Sequence, residues 1–432
     1  MNNKIAVIGC GYVGLTTGAC LAHLGHTVIC ADVDADRVDA LNRGEVPILE
    51  AGLDSMIREC VEGGRLSFVL GEATAAAECD FAYLCVPTPQ GPDGSADLSF
   101  IENAARNIAA VLPLEAVVVN KSTVPVGSTR VVEQVLGRSD VSVVSNPEFL
   151  REGSAVHDFL HPDRIVIGSD DQSAAIRVAS LYIGITAPVI VTDPASAETI
   201  KYASNAFLAT KISFVNAIAA VCEAIGADMN DVVLGMGYDR RIGHEFLRPG
   251  PGWGGSCFPK DSRALVRIAE DAGYDFDLLR GVITVNEEQF ERVASKAAEM
   301  VGGSVNGARI AVWGLTFKAR TDDLRDSPAL SILARLRRDG ATVRAFDPTV
   351  THPVDSRRTG LLEGLEIVSD PYAACEDADV LLVLTEWDDF KWLDLDKVAS
   401  AMAHPRVVDA RNLLDREALR RRGFEYKGIG RA

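Results

Sequence analysis

A glycine-rich turn set between two regular elements constrains the fold of this chain more than any other feature. Ile5–Ile8 is a short apolar run, Gly9-Cys10-Gly11-Tyr12-Val13-Gly14 follows it, and a helical pattern begins there. In a strand–turn–helix unit Gly9 permits the tight turn, Gly11 lets the backbone approach a pyrophosphate, and Gly14 lets the helix pack close to the strand. The helix start offers unpaired N–H groups and the positive end of its dipole to phosphates. The next apolar run, Thr27–Asp32, ends on a carboxylate 21 residues after Gly11. An acidic side chain there accepts hydrogen bonds from the adenosine ribose hydroxyls and repels a 2′-phosphate, which reads as NAD rather than NADP. Arg37 is near enough to soften that exclusion.

Further apolar runs, Phe81–Val86, Ala116–Lys121, Ser142–Ser145 and Arg164–Gly168, alternate with helical patterns. They are continuous rather than alternating, as strands of a parallel sheet covered on both faces are. The fold class is therefore α/β, with a doubly wound, Rossmann-like domain over residues 1–195. From Ala195 to Ile225 there is neither Gly nor Pro, and the composition predicts one long, mostly buried helix. A glycine- and proline-rich loop follows to Asp261, then helical stretches near 262–272 and 278–301, giving an all-α middle over 196–304. Strand patterns return at Arg309–Gly314, Thr342–Asp347, Val380–Thr385 and Val407–Asp409, which predicts a second Rossmann-like domain over 305–432.

The 432 residues are 47% hydrophobic and 24% charged, and the net charge is −18. Such a surface disfavours nucleic acid and anionic membranes, so an anionic substrate needs its basic side chains gathered locally. The nine cysteines are irregularly spaced, mostly inside apolar patterns, and are expected to be buried thiols in a reducing compartment. The N-terminus runs directly into a strand, and no apolar run reaches the roughly 18 to 20 residues of a membrane span, so a cytoplasmic protein is expected. His157 and His161 are four apart, but Pro162 follows and no third ligand is near, so no metal is expected. Asp322-Asp323 beside Arg325 reads as a solvated or capping pair. The arginines at 335–338 and 420–422 read as exposed helix faces.

One cysteine differs from the rest. Cys257 lies in Pro249-Gly250-Pro251-Gly252-Trp253-Gly254-Gly255-Ser256-Cys257-Phe258-Pro259-Lys260-Asp261. Lys260 favours a thiolate nearby, and Asp261 is placed to cap the helix that follows. A structural turn with an incidental thiol accounts for the loop equally well. Glu148 and Glu152 share a face if their segment is helical, and Lys201 and Asn205 share a face of the central helix.

Taken together, these stretches resemble the nucleotide-sugar 6-dehydrogenases, the UDP-glucose/GDP-mannose dehydrogenase family. The matching segments are Gly9–Gly14, Cys85–Pro89, Ser122–Gly127, Asn146–Gly153, Lys201–Asn205, Gly250–Asp261 and Phe317–Ser327, in family order across nearly the whole chain. The resemblance implies oxidation of a primary alcohol to a carboxylate by two hydride transfers, with Cys257 as the nucleophile that forms a thiohemiacetal and then a thioester. It makes Lys201 and Asn205 stabilisers of the C6 oxyanions, Asp261 an organiser of water and protons, and Glu148 with Thr123 the pair that activates water. It adds Tyr12, Val13, Pro87, Thr88, Thr123, Glu152, Lys260 and Arg325 to the cofactor side. Phe149, Leu150, Arg151, Phe246, Leu247, Arg248, Pro249, Gly250 and Gly254 join Glu148, Glu152, Lys201 and Asn205 around the sugar nucleotide, with Lys318 and Arg411 from the C-terminal domain. Arg241 is implied to cross a homodimer interface.

The implied substrate is UDP-glucose. The segment His244–Gly252 and Phe258 after Cys257 favour it over GDP-mannose, and Phe258-Pro259-Lys260-Asp261 disfavours N-acetylated UDP-sugars. A non-catalytic NAD module has no need of Cys257, Lys201 and Glu148 together. A two-electron hydroxy-acid dehydrogenase has no need of the cysteine loop or the last domain, whose first turn, Trp313–Phe317, lacks the three-glycine pattern and is expected to hold the substrate nucleotide.

Overall fold

A computed structural model describes residues 2–91, 95–350 and 360–431. The chain divides into two compact units, one of residues 1–204 with 263–274 and one of residues 205–262 with 275–432.

The first unit is built on an eight-stranded sheet among the described residues. Its strands are β1 (Lys4–Ile8), β2 (Thr27–Asp32), β3 (Leu66–Leu70), β4 (Phe81–Leu84), β5 (Val117–Asn120), β6 (Ser142–Ser145), β7 (Ile165–Gly168) and β8 (Val189–Thr192). The order is β3-β2-β1-β4-β5-β6-β7-β8, parallel except where β6 meets β7. The first six positions have the strand order of a dinucleotide-binding fold. In β1, Ile5 and Val7 enter one core cluster while Ala6 and Ile8 enter another on the opposite face. This is why the strand reads as an unbroken apolar run.

The second unit carries a six-stranded parallel sheet among the described residues. Its strands are β9 (Arg309–Trp313), β10 (Thr342–Phe346), β11 (Glu366–Ile367), β12 (Val380–Val383), β13 (Arg406–Asp409) and β14 (Glu425–Gly428), in the order β11-β10-β9-β12-β13-β14. Its central strand splits its side chains in the same way: Ile310 and Val312 lie on one face, Ala311 and Trp313 on the other.

The predicted central helix is Pro194–Ile225, and helices Phe258–Asp271 and Asp277–Met300 follow it. By length and composition the central helix is apolar enough to cross a membrane, contrary to the sequence expectation, and 33% of its most apolar window is buried. It is also less buried than expected. Polar side chains at Glu198, Lys201, Asn205, Ser213 and Asn216 are buried on it, whereas Phe207, Phe214, Val221 and Ile225 are exposed.

Two local expectations are corrected. The segment 146–151 is loop rather than helix, so Glu148 and Glu152 do not share a helical face. Pro147 restricts Asn146 to extended backbone, and Asn146 ties itself to Val166 O at 2.8 Å. Asp261 is not a helix cap, because the helix begins earlier, at Phe258, and Asp261 lies inside its first turn.

Candidate active site

In the first unit the dinucleotide turn leaves β1 with the Gly9 N–H donating to Ala31 O at 2.7 Å. Gly11 caps the helix Tyr12–His23 with no side-chain hydrogen bond and no acidic residue in the first turn, so its N–H groups stay available to an anion. A Cβ on Gly11 would meet nothing within 4 Å, which leaves the approach open to a ligand. A Cβ on Gly14 would lie 1.8 Å from Gly9 O, so only glycine lets this helix sit so close to the turn. Asp32 is buried at the end of β2. Its carboxylate accepts from Cys10 N at 2.7 Å and Asp34 N at 3.0 Å, and pairs with Arg37 at 3.0 Å. Burial pushes its carboxyl up, but these bonds and the Arg37 charge outweigh burial and hold it below the usual range. The turn, the open helix start and an ionised Asp32 fit a dinucleotide.

Thr88 donates its hydroxyl to Thr123 O at 2.9 Å, which brings those two residues together beneath exposed Pro87. Lys201 Nζ lies 2.8 Å from Glu148 Oε1, and both side chains are about 5% exposed or less. The other Glu148 oxygen accepts from Leu150 N at 2.6 Å. Burial pushes the Glu148 carboxyl up. Lys201, the Leu150 N–H and the Lys121 charge together outweigh it, so the group is held ionised below the usual carboxylate range. The Phe149 ring lies under Lys201 Nζ at 5.4 Å and under the Arg164 guanidinium at 3.7 Å. Arg151 is turned onto Asp158 at 2.6 Å, and Glu152 is half-buried beside it.

The cysteine loop belongs to the second unit. Cys257 is half-buried immediately before the helix Phe258–Asp271, and its carbonyl accepts from Asp261 N at 2.9 Å. Its thiol therefore sits at the positive end of the helix dipole. The Ser256 hydroxyl lies 3.5 Å from the sulfur. Asp261 is fully buried, accepts from Asn205 Nδ2 at 2.7 Å and pairs with Lys260 at 2.6 Å.

The loop is anchored from both neighbouring helices. Asn216 accepts from Gly250 N and Gln289 donates to Gly250 O, at 2.8 and 2.7 Å. Asn286 brackets Trp253 through its N–H and its carbonyl, at 2.8 and 2.9 Å. A Cβ on Gly254 would lie 2.0 Å from Asp326 O, so the loop backbone packs directly on the C-terminal domain.

Around this loop Phe246 and Phe258 are ring neighbours at 6.3 Å, Leu247 and Pro249 are buried, and Arg248 is exposed. Arg411 is partly buried, bonded to Leu384 O and Phe317 O and paired with Glu386, each at 2.9 Å. A Cβ on Gly250 would stand 3.5 Å from its guanidinium. Lys318 Nζ lies 5.3 Å above the Phe317 ring. Arg325 is exposed and paired with Asp323 at 2.7 Å, and Arg241 is 89% exposed, paired with Asp239 at 2.6 Å. Asp347 follows β10 as Asp32 ends β2, yet one of its oxygens already accepts from Leu315 N, the Thr316 N–H and hydroxyl, and Trp387 Nε1. Its other oxygen accepts from the Thr349 N–H and hydroxyl at 3.0 and 2.8 Å, so this buried carboxylate is committed within the domain, unlike an acceptor held ready for a ribose.

Residues 3–186 match the NAD binding domain of the UDP-glucose/GDP-mannose dehydrogenase family, 195–288 its central domain and 311–416 its UDP binding domain. The chain belongs to the UDP-glucose/GDP-mannose dehydrogenase family. It is an NAD-dependent oxidoreductase of that type. It is 46% identical to a UDP-glucose 6-dehydrogenase of Rhizobium meliloti (strain 1021), over 99% of each chain. It is also 46% identical to one from Bacillus subtilis (strain 168), covering 99% of this chain and 93% of the relative. A solved UDP-glucose dehydrogenase from Pyrobaculum islandicum superimposes with a TM-score of 0.90 at 37% identity, over 100% of this chain and 98% of that one.

Buried charged residues to which the sequence reading gave no role include Glu198, Lys121 and Glu50. Glu198 accepts from Gly127 N at 2.6 Å and from the Thr129 N–H and hydroxyl at 2.9 and 2.7 Å. It thereby caps the helix Ser128–Leu136, whose own cap residue, Gly127, has no side chain to do so. Lys121 is buried against neutral partners, Asn146 Oδ1 at 3.1 Å and the Tyr182 hydroxyl at 3.3 Å. Glu50 is buried beside Tyr12. The glycine cap at 127 was a visible signal for Glu198; the other two gave none.

Proposed function

We propose that this chain oxidises the C6 hydroxymethyl group of UDP-glucose to the carboxylate of UDP-glucuronate, consuming two NAD and one water per turnover. The observation that carries this reading is the buried Lys201–Glu148 pair, in a chain that also bears Cys257 at a helix start and the whole-length likeness to UDP-glucose 6-dehydrogenases.

NAD, when bound, supplies the hydride acceptor for each of the two oxidations. In the first, C6 gives up a hydride while its hydroxyl proton leaves along the path ordered by Asp261; the Cys257 thiolate then adds to the aldehyde carbon, and Lys201 and Asn205 stabilise the oxygen that takes up charge. Loss of a second hydride from that thiohemiacetal leaves a thioester on Cys257. Glu148, with Thr123, positions a water and accepts its proton as the water attacks, and the thiolate departs. Ionisation of Glu148 leaves it ready to take that proton. Its basicity rises when Lys201 turns from it to the substrate oxygen, because burial is then less opposed. Asp261, held by Asn205 and Lys260, orders the proton path beside the thiol.

Residues 1–195 serve NAD, 196–304 carry the cysteine loop, and 305–432 hold the uridine diphosphate through Lys318 and Arg411. Arg151, Phe246, Arg248 and Gly250 border the sugar nucleotide, while Glu152, Lys260 and Arg325 serve the cofactor side.

The functional assembly is a homodimer. Phe207, Phe214, Val221 and Ile225 recur on one face of the central helix and are 65%, 51%, 51% and 73% exposed, an apolar stripe suited to a second copy. Exposed Arg241 extends toward that copy's site. Nine cysteines without a disulfide suit a reducing cytoplasm.

The experiment is oxidation of UDP-glucose, GDP-mannose and UDP-N-acetylglucosamine side by side, with products identified by mass spectrometry. UDP-glucuronate as the main product, at the highest kcat/KM, is expected. An aldehyde as the final product, or preference for either other sugar nucleotide, would overturn the proposal.

A further inference from the structure

Three segments far apart in sequence meet on one buried carboxylate of the first unit. The Tyr12 hydroxyl, in the dinucleotide turn, donates to Glu50 Oε2. The Gly153 N–H donates to the same oxygen at 2.8 Å and to the Tyr12 hydroxyl at 3.0 Å. Glu50 is 7% exposed, and its second oxygen is buried and takes no hydrogen bond from any described residue. The carboxylate is thus committed to the turn on one side and to the 146–153 loop on the other. Burial, followed by the hydrogen bond to Glu50 and then its charge, keeps the Tyr12 phenol protonated and therefore a donor.

Tyr12 begins the helix whose N–H groups face the dinucleotide phosphates. Gly153 closes the loop that opens with Glu148, just before the helix Ala155–Leu160. The near end of that loop is pinned by Asn146 to Val166 O, and its middle by Arg151 to Asp158. The Gly153 anchor reaches the dinucleotide turn itself. Glu50 and the Tyr12 hydroxyl thus form a continuous hydrogen-bonded link from the dinucleotide turn to the backbone of the loop.

We propose that Glu50 is a positioning residue that couples dinucleotide occupancy to the placement of the sugar-facing loop, through Tyr12 and the Gly153 N–H. The inference rests on the reading above in taking the 148–153 loop as the one that serves the sugar. Glu50 touches neither substrate nor cofactor in this account. It sets how strongly one ligand is felt at the site of the other, which is a coupling free energy and is reciprocal.

The test titrates the full-length protein with NADH, with and without saturating UDP-glucose, a pair that cannot react. The quantity read is the factor by which UDP-glucose changes the NADH dissociation constant, in the wild type, Glu50→Ala, Glu50→Gln, Tyr12→Phe and the double variant Tyr12→Phe/Glu50→Ala. The wild type is expected to show a factor of about five or more, the lower bound of ordinary coupling. Glu50→Ala and Tyr12→Phe should bring it close to one, the double variant should go no further, and Glu50→Gln, which keeps an acceptor at the same reach, should retain most of it. Where Glu50→Ala does not fold, Tyr12→Phe carries the same expectation. A merely structural role would lower Tm and weaken both ligands alike while leaving the factor intact, and that outcome overturns the proposal, as does a wild-type factor of one. Glu148→Gln separates the two readings: it should keep the coupling and lose turnover. Turnover retained in that variant sinks the water-activating role of Glu148 and leaves the Glu50 coupling standing.

Discussion

Replacing Lys201 with Met keeps most of the side-chain volume and removes the counter-charge of Glu148. Both members of this pair are almost wholly buried at 2.8 Å, so solvent screening offers little relief. Stranding one member of such a pair costs about 3–5 kcal/mol. In a unit of roughly 200 residues each kcal/mol moves Tm by about 2–4 °C, so a fall of about 6–12 °C is expected at pH 7 for the lower figure.

The penalty should depend on pH in a direction fixed by Glu148. In the wild type its carboxyl is held below the ordinary value of 4.5, so the pair stabilises fully above that value and is lost as pH falls through the lowered one. In Lys201→Met, burial is opposed only by the Leu150 N–H and the Lys121 charge among the influences on Glu148, and the carboxyl rises. A group raised in the folded state is at its most stabilising below its unfolded value and loses that as pH rises. The gap between the two proteins should therefore be narrower near pH 4.5 than near pH 7, and close only as pH falls below the lowered wild-type value, as read by calorimetry. Adding Glu148→Leu to Lys201→Met should recover most of the loss, since the stranded charge is then gone. A gap unchanged between these pH values, or no recovery in the double variant, refutes the reasoning.

Gly14→Ala places a methyl on Gly9 O, so the turn must move; NAD affinity should fall about ten-fold or more by calorimetric titration, with a stability loss of about 1–3 kcal/mol. Asp32→Ser removes the proposed charged acceptor of the ribose hydroxyls and the nearer of the two carboxylates paired with Arg37, so the ratio of kcat/KM for NAD over NADP should shrink about ten-fold or more. Phe214→Glu puts a charge in the middle of the exposed apolar stripe, and light scattering is expected to show a dimer for the wild type and a monomer for the variant.

The parts of this protein legible in its sequence are those whose physics is local. The turn at Gly9–Gly14, the carboxylate at Asp32 and the Gly- and Pro-free central helix each carry their signal within one element. Edge strands such as Leu66–Leu70 and Glu425–Gly428 did not stand out, because one face of each is polar or partly solvated. The residues of the candidate site were named through family likeness, but their pairings were not. Glu148 and Lys201 are 53 residues apart, and Asn205 and Asp261 are 56 apart, so no short-range spacing betrays either contact. The segment 146–152 hid its shape because its two carboxylates, Glu148 and Glu152, mimic helical spacing, whereas Pro147 and the bond from the Leu150 N–H to Glu148 make it turn. Asp261 looked like a cap because aspartate favours that position; the helix in fact starts at Phe258, and the side chain turns inward to Asn205. Glu198 and Glu50 were missed because what they bind is largely backbone N–H, which every sequence contains.

The central claim, a four-electron oxidation held together by Cys257, is tested most directly by counting electrons. NADH and UDP-glucuronate are measured together from a limiting amount of UDP-glucose, in the wild type and in Cys257→Ser. About two NADH per UDP-glucuronate are expected from the wild type, and no acid from the variant, which still binds both ligands. One NADH per sugar consumed, or acid formed at the wild-type rate without the thiol, would contradict the account.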